Sequence, residues 1–137
     1  MTTLSYALCA GRHNIVVDGE DITEKSVYPV TVKSPLDFDR NIQTAMSFLH
    51  SLKETVELEE CSIKDKPFTL QLVVTGLTPV LHAFIKAWNA VAPKFWGLTL
   101  GHYNRDESVY VWESLIEPFT WKQAREDLYL PSKTQEE

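Results

Sequence analysis

The sequence predicts a small α/β domain: a Rossmann-like, mostly parallel sheet with helices on both faces and a C-terminal hairpin. Three observations predict this class. Short apolar runs alternate with longer segments of helical periodicity, which is typical of β-α-β units. The run Leu72-Val73-Val74 is apolar at consecutive positions, as in strands buried on both faces. A chain of 137 residues with 44% hydrophobic residues is long enough for one sizeable core.

Two strands are predicted in the first quarter of the chain. The segment Leu4–Ala10 is short and apolar and ends at a glycine, which indicates a strand. A polar loop follows over Arg12–Glu24, with Asp18-Gly19 as a turn signal. Val27–Val32 is rich in β-branched residues and predicts a second strand. Pro29 inside it favours an edge position, because proline cannot donate a ladder hydrogen bond.

Two helices are predicted from start signals and apolar periodicity. Ser34-Pro35 begins the first helix with a hydroxyl cap and a proline at the first helical position, and the helix is expected to end near Glu54. The acidic residues after it read as a solvated connector. Thr78-Pro79 begins the second helix in the same way, and Pro93 marks its end.

The remaining elements complete the order β, β, α, β, α, β, β, α. Strands are predicted at Phe68–Val74, Trp96–Leu100 and Val109–Trp112, and the last two are expected to pair as a hairpin. A final helix is predicted over Phe119–Leu128. Residues 1–130 are therefore expected to form one domain, and residues 131–137 a polar tail.

Composition excludes several classes of function. The net charge of −6 argues against binding long nucleic acids, which need a basic surface. No apolar run approaches the roughly 18 residues of a membrane span, and no leader is visible at Met1, so we expect no membrane partner and a cytoplasmic location. Cys9 lies in an apolar strand and reads as a buried thiol. No spacing typical of a metal or cofactor site is present, so none is predicted.

Polar residues follow three predicted strands at the points where the strands end. The segments are Gly11-Arg12-His13-Asn14, Thr75-Gly76-Leu77-Thr78 and Gly101-His102-Tyr103-Asn104-Arg105. Right-handed crossovers would bring these strand ends to one edge of the sheet, where ligands bind in open α/β folds. A strand that turns into a helix N-terminus, with a glycine and hydroxyls at the junction, favours an anion. The pattern predicts a site for a phosphate-bearing ligand.

Each of these residues also has a simpler interpretation. The glycines are common turn residues, and Thr78 can be only a helix cap. His13 can be a surface residue, and His102 a packed residue at the sheet edge. Arg105 can form a surface ion pair with the neighbouring Asp106. Because all three segments are predicted to meet at one edge of the sheet, we favour a functional cleft over a separate simple explanation for each residue.

The segment Val74-Thr75-Gly76-Leu77-Thr78-Pro79 resembles the Thr-Gly-Gly-Thr-Lys turn of CRISPR-associated Rossmann-fold (CARF) domains, and the resemblance extends from Phe68 to Tyr103. Those domains bind cyclic oligoadenylates across a homodimer interface, and some compact relatives are ring nucleases. Leu77 stands at the second glycine and Pro79 at the lysine of the family turn. Arg12 or Arg105 would therefore replace the family's lysine at the phosphate.

The resemblance implies a metal-independent ring nuclease without a cofactor, acting as a homodimer on a small cyclic nucleotide that serves antiviral signalling. His13 is the first candidate for the general acid or base, and His102 the second. The implied ligand contacts are Gly11, Arg12, Asn14, Thr75, Gly76, Thr78, Tyr103, Asn104 and Arg105. Two other classes stay open: a sponge that binds the messenger without cleaving it, and an acidic protein-interaction module. A metal-dependent hydrolase is disfavoured, since Asp18, Asp21 and Asp37 form no recognisable ligand pattern.

Overall fold

A computed structural model describes residues 2–10, 14–29, 32–59, 68–75 and 78–119 of the chain. The helices and strands in these ranges are β1 (Thr2–Cys9), β2 (Val16–Val17), β3 (Glu20–Asp21), β4 (Ser26–Tyr28), α1 (Phe38–Glu59), β5 (Phe68–Val73), α2 (Thr78–Val91), β6 (Trp96–Asn104) and β7 (Val109–Ile116). Neither helix has the length and apolar character needed to cross a bilayer.

The main sheet has five strands in the order β4-β1-β5-β6-β7. The first four are parallel, and β7 pairs antiparallel with β6. This arrangement confirms the predicted α/β class with its mostly parallel sheet and C-terminal hairpin. Pro29 directly follows β4, and β4 lies at the edge of the sheet, as the proline predicts.

Both described helices pack on one face of the sheet, which we call the helix face. Leu72, Phe84 and Leu98 are fully buried there, and α1 and α2 contact each other above them. The strands contribute alternate residues to this core, as side chains of period two require. The sequence predicted helices on both faces, whereas both described helices lie on the helix face; the third predicted helix, Phe119–Leu128, lies outside the described residues except for Phe119.

A small β2–β3 hairpin covers part of the opposite face, which we call the hairpin face. The sequence predicted a polar loop with a turn at Asp18-Gly19; the turn is confirmed, but the two short strands beside it were not predicted. Asp18 and Gly19 both have positive φ angles, 50° and 81°, which is the conformation of a two-residue type I′ hairpin turn. The hairpin buries Ile22 and its apolar neighbours against Ala7 and Val73 of the sheet.

The first helix begins and ends later than predicted. Ser34 and Pro35 form a turn instead, because the Asp37 amide donates to the Ser34 carbonyl at 3.0 Å. Asp37 caps the helix, since its carboxylate accepts from the Arg40 amide at 3.3 Å. The helix continues to Glu59, so Glu57 and Glu59 of the predicted connector belong to the helix, while Glu60 lies outside the described residues.

Candidate functional site

The carboxyl ends of the parallel strands form one edge of the sheet, which we call the rim. Ala7, Val73 and Gly101 lie side by side in register as the strands reach it. One residue further, the Val74 amide donates to the Gly101 carbonyl at 2.8 Å. The three strand ends that the sequence singled out therefore adjoin at one edge, as the crossover argument predicts.

Thr75 ties two strands together at the rim. Its hydroxyl donates to the Cys9 carbonyl at 2.6 Å, and its oxygen accepts from the Cys9 amide at 3.0 Å. The side chain thus extends the β1–β5 ladder by one step. Its proton is committed to the backbone, so Thr75 contributes to a ligand site mainly by fixing the rim's shape.

The N-terminus of α2 opens at the same edge. Thr78 is the first residue of the helix and is exposed, and Pro79 follows it. A helix start carries a partial positive charge from its unpaired amides, and this favours an anionic group nearby. Thr78 is therefore available at the rim on the helix face.

The segment from Gly101 to Asn104 was predicted as a loop, and this is wrong. These residues belong to β6, which continues past Leu100 and pairs with β7 as far as Asn104–Val109. The two strands form an arm that extends beyond the last paired residue of β5. Because successive strand residues point to opposite faces, His102 and Tyr103 leave the arm in opposite directions. His102 lies on the helix face with Thr78, and Tyr103 on the hairpin face.

The tip of the arm carries two more predicted site residues. The side-chain oxygen of Asn104 accepts from the Asp106 amide at 3.0 Å and closes a local turn. Arg105 is exposed beside it. The Asn104 side chain therefore stabilises the turn at the tip, while the Arg105 side chain is exposed to solvent.

The segment after β1 is described only from Asn14 onwards. Asn14 is exposed and leads from the rim into the hairpin face. Four predicted site residues, Gly11, Arg12, His13 and Gly76, lie outside the described residues. The roles predicted for these four residues therefore stay predictions.

The sequence did not single out an aromatic row on the hairpin face of the arm. The rings of Tyr103 and Tyr110 lie 5.2 Å apart, and those of Tyr110 and Trp112 lie 6.0 Å apart. Burial, and secondly the neighbouring Tyr103, raise the pKa of Tyr110. Two sequence features could have predicted this row. Tyr110 and Trp112 are two residues apart in a strand, so their side chains share a face, and the predicted hairpin would place Tyr103 opposite Tyr110.

A separate cleft of about 310 Å³ lies between α1 and the β4 side of the sheet. Tyr6, Phe48 and Leu52 form its apolar walls, and the Lys25 ammonium lies 5.2 Å from the centre of the Tyr6 ring. Among the residues that the structure describes, none of the predicted site residues lines it. Across the ranges that the structure describes, no three His, Cys, Asp or Glu side chains come together as a metal site.

No protein-family model, curated protein or solved structure matches this chain. The fold class therefore rests on the order and direction of the strands. Any function inferred for the chain rests on the rim, the arm and the sequence motif from Val74 to Pro79.

Proposed function

We propose that this protein is a cytoplasmic ring nuclease that binds a cyclic oligoadenylate at the rim and opens it without a metal. The observation that carries the proposal is the meeting of three parallel strand ends with the start of α2 at one edge. That edge offers an exposed hydroxyl at Thr78 and an exposed imidazole at His102 on the same face. A phosphate near a helix N-terminus is favoured by the unpaired amides there.

The chemistry needs only groups that this chain and the ligand supply. The ribose 2′-oxygen attacks the adjacent phosphorus, and the bond from phosphorus to the 5′-oxygen breaks. The products are a 2′,3′-cyclic phosphate and a 5′-hydroxyl. A histidine, His13 or His102, would accept the 2′-hydroxyl proton or donate a proton to the leaving 5′-oxygen. Arg12 and Arg105 would neutralise charge that develops on the phosphorane.

A homodimer is part of the proposal. Four large apolar side chains are exposed and could take part in an association surface: Val16 in β2, Leu36 before α1, Phe38 at the start of α1 and Val109 at the start of β7. A two-fold dimer across the rim would match a ring that has its own two-fold symmetry.

The test is incubation of the purified protein with cyclic tri-, tetra- and hexa-adenylate in EDTA, followed by mass spectrometry of the products. We expect linear oligoadenylates that end in a 2′,3′-cyclic phosphate. His13→Ala and His102→Ala, made separately, are expected to lower the rate on the order of 10²-fold for the histidine that transfers the proton. His50→Ala is the matched control, because His50 is exposed in α1 and was not placed at the rim.

Other outcomes have defined meanings. Binding of an intact ring without product would replace the nuclease with the sponge. Full activity of His13→Ala and of His102→Ala would show that neither histidine transfers a proton in the reaction. Loss of all turnover in EDTA, with recovery on adding Mg²⁺, would refute the metal-independent reaction. No binding of any of the three rings would refute the proposal as a whole.

A further inference from the structure

We infer that Tyr103 stacks on an adenine base of the ligand, held in place by Tyr110, Trp112 and Gly101. This inference rests on the proposed function and adds how the base is recognised. Tyr103 is 53% exposed, although its neighbours in the aromatic row are half-buried. An exposed tyrosine at the end of such a row offers one ring face to a planar partner.

The row begins at a glycine. A Cβ on Gly101 would lie 2.5 Å from the Trp112 ring, so the indole sits directly on the glycine backbone. Such close approach is possible only because Gly101 has no side chain. Trp112 also packs against the apolar cluster of the hairpin face, which includes Val73 and Ile22. The inner end of the row is thus fixed by the sheet.

The row then leads outward to the ligand side. Tyr110 contacts Trp112 on one side and Tyr103 on the other. Tyr110 pairs with Tyr103 across the arm, and Trp112 pairs with Gly101. Tyr110 is therefore a positioning residue, which acts through the orientation of Tyr103. Because successive residues of β6 point to opposite faces, Tyr103 lies on the hairpin face and His102 on the helix face.

In this geometry, the two faces of the arm would bind different parts of the ligand. The phosphate groups would lie near Thr78 on the helix face, and a base of the same ring would reach Tyr103 around the arm's edge. Every base has a π-face, so stacking gives affinity for a base without a dedicated hydrogen-bond pattern.

The experiment measures the dissociation constant of cyclic tetra-adenylate in EDTA at low temperature. We expect Tyr103→Leu to weaken binding on the order of 10-fold, and Tyr103→Phe to change it less than about two-fold, because the ring is kept. Leu115→Ala is the matched control, since Leu115 is 48% exposed in β7 and lies away from the residues paired with His102 and Tyr103. Tyr110→Ala should weaken binding, and Tyr110→Phe should restore it.

A second readout reports stacking independently of affinity. At saturating ligand, the adenine H2 and H8 protons should move upfield in the wild-type complex and lose that shift in Tyr103→Leu. Equal affinity and equal shifts in wild type and Tyr103→Leu would overturn the inference while leaving the ring nuclease intact. If the wild type binds none of the tri-, tetra- or hexa-adenylate rings, the proposed function fails and the inference fails with it.

Discussion

The two faces of the sheet carry different kinds of side chain, although both are formed by alternate residues of the same strands. On the helix face, Leu70 and Leu98 lie side by side, and the next row adds Leu72 and Leu100. On the hairpin face, the row between them is polar: the Ser5 hydroxyl donates to the Gln71 side-chain oxygen at 2.9 Å. In β5, the helix face thus carries large apolar side chains, whereas the hairpin face carries Thr69, Gln71 and Val73.

This difference separates stability from recognition. Each buried leucine contributes roughly 1.5–3 kcal/mol, and the helix face holds most of them. Among the described residues, the buried cluster of the hairpin face is the smaller one, and the missing side chain of Gly101 lets the Trp112 ring lie on the sheet there. We infer that burial on the helix face supplies most of the stability of the fold, so the aromatic row on the hairpin face can serve ligand binding.

The largest expected effect is on the helix face. Phe84 is fully buried between α2 and the sheet, so Phe84→Ala should lower the free energy of unfolding by about 3–5 kcal/mol. This is a large part of the roughly 5–15 kcal/mol that a domain of this size has in total. Urea denaturation followed by circular dichroism measures it.

Two further variants provide the comparison for Phe84→Ala. Ile22→Ala removes a fully buried side chain from the smaller cluster of the hairpin face and should cost about 2 kcal/mol, at the low end for its type. Leu36→Ala changes a side chain that is 72% exposed and should stay within about 0.5 kcal/mol. Equal losses for Phe84→Ala and Ile22→Ala would contradict the contrast between the faces.

The contact between Gly101 and Trp112 is the next test. Gly101→Ala places a methyl group inside the indole ring's space and should cost about 1–3 kcal/mol, measured by urea denaturation. The double variant Gly101→Ala/Trp112→Leu should recover part of the loss, because the smaller side chain removes the clash. Additive losses in this double-mutant cycle would show that the two residues do not interact as described.

The smallest effect expected from a buried position concerns the hydrogen bond that joins the edge strand β4 to α1. The Tyr28 hydroxyl donates to the Asn41 carbonyl at 2.6 Å in a buried position. Tyr28→Phe removes this bond and should lower the free energy of unfolding by about 1 kcal/mol at neutral pH. Urea denaturation of both proteins across a pH series measures the change.

Tyr28 also predicts an alkaline dependence. Burial, and secondly the nearby Cys9, raise the pKa of Tyr28 from 10.0 to about 12. Because the folded state disfavours the phenolate, this stability is fully present below pH 10 and is lost as the pH rises towards about 12. The advantage of the wild type over Tyr28→Phe should therefore shrink above pH 10. A constant difference across that range would contradict the raised pKa.

Local sequence signals predicted most of the helices and strands. The strand Phe68–Val74, the start of α2 at Thr78 and the pairing of the last two strands are found within a residue or two of their predicted positions or partners. The misses have physical causes. Asp37 is the better helix cap once Asn41 binds the Ser34 carbonyl, a contact seven residues apart that periodicity does not reveal.

The candidate site was predicted less completely than the fold. The sequence placed three polar segments at one edge, and the adjoining strand ends agree with that. It did not predict that β6 continues past Leu100, since His102 and Tyr103 look like loop residues until β7 pairs with them. Only this pairing puts the two side chains on opposite faces.

The amino-acid sequence by itself determined the α/β class, because apolar period and turn residues act within a few neighbouring positions. The tertiary structure alone decided which side chains share a face at the rim. That choice depends on strand register and on the close contact of Trp112 with Gly101, and both join residues that are distant along the chain or across the arm.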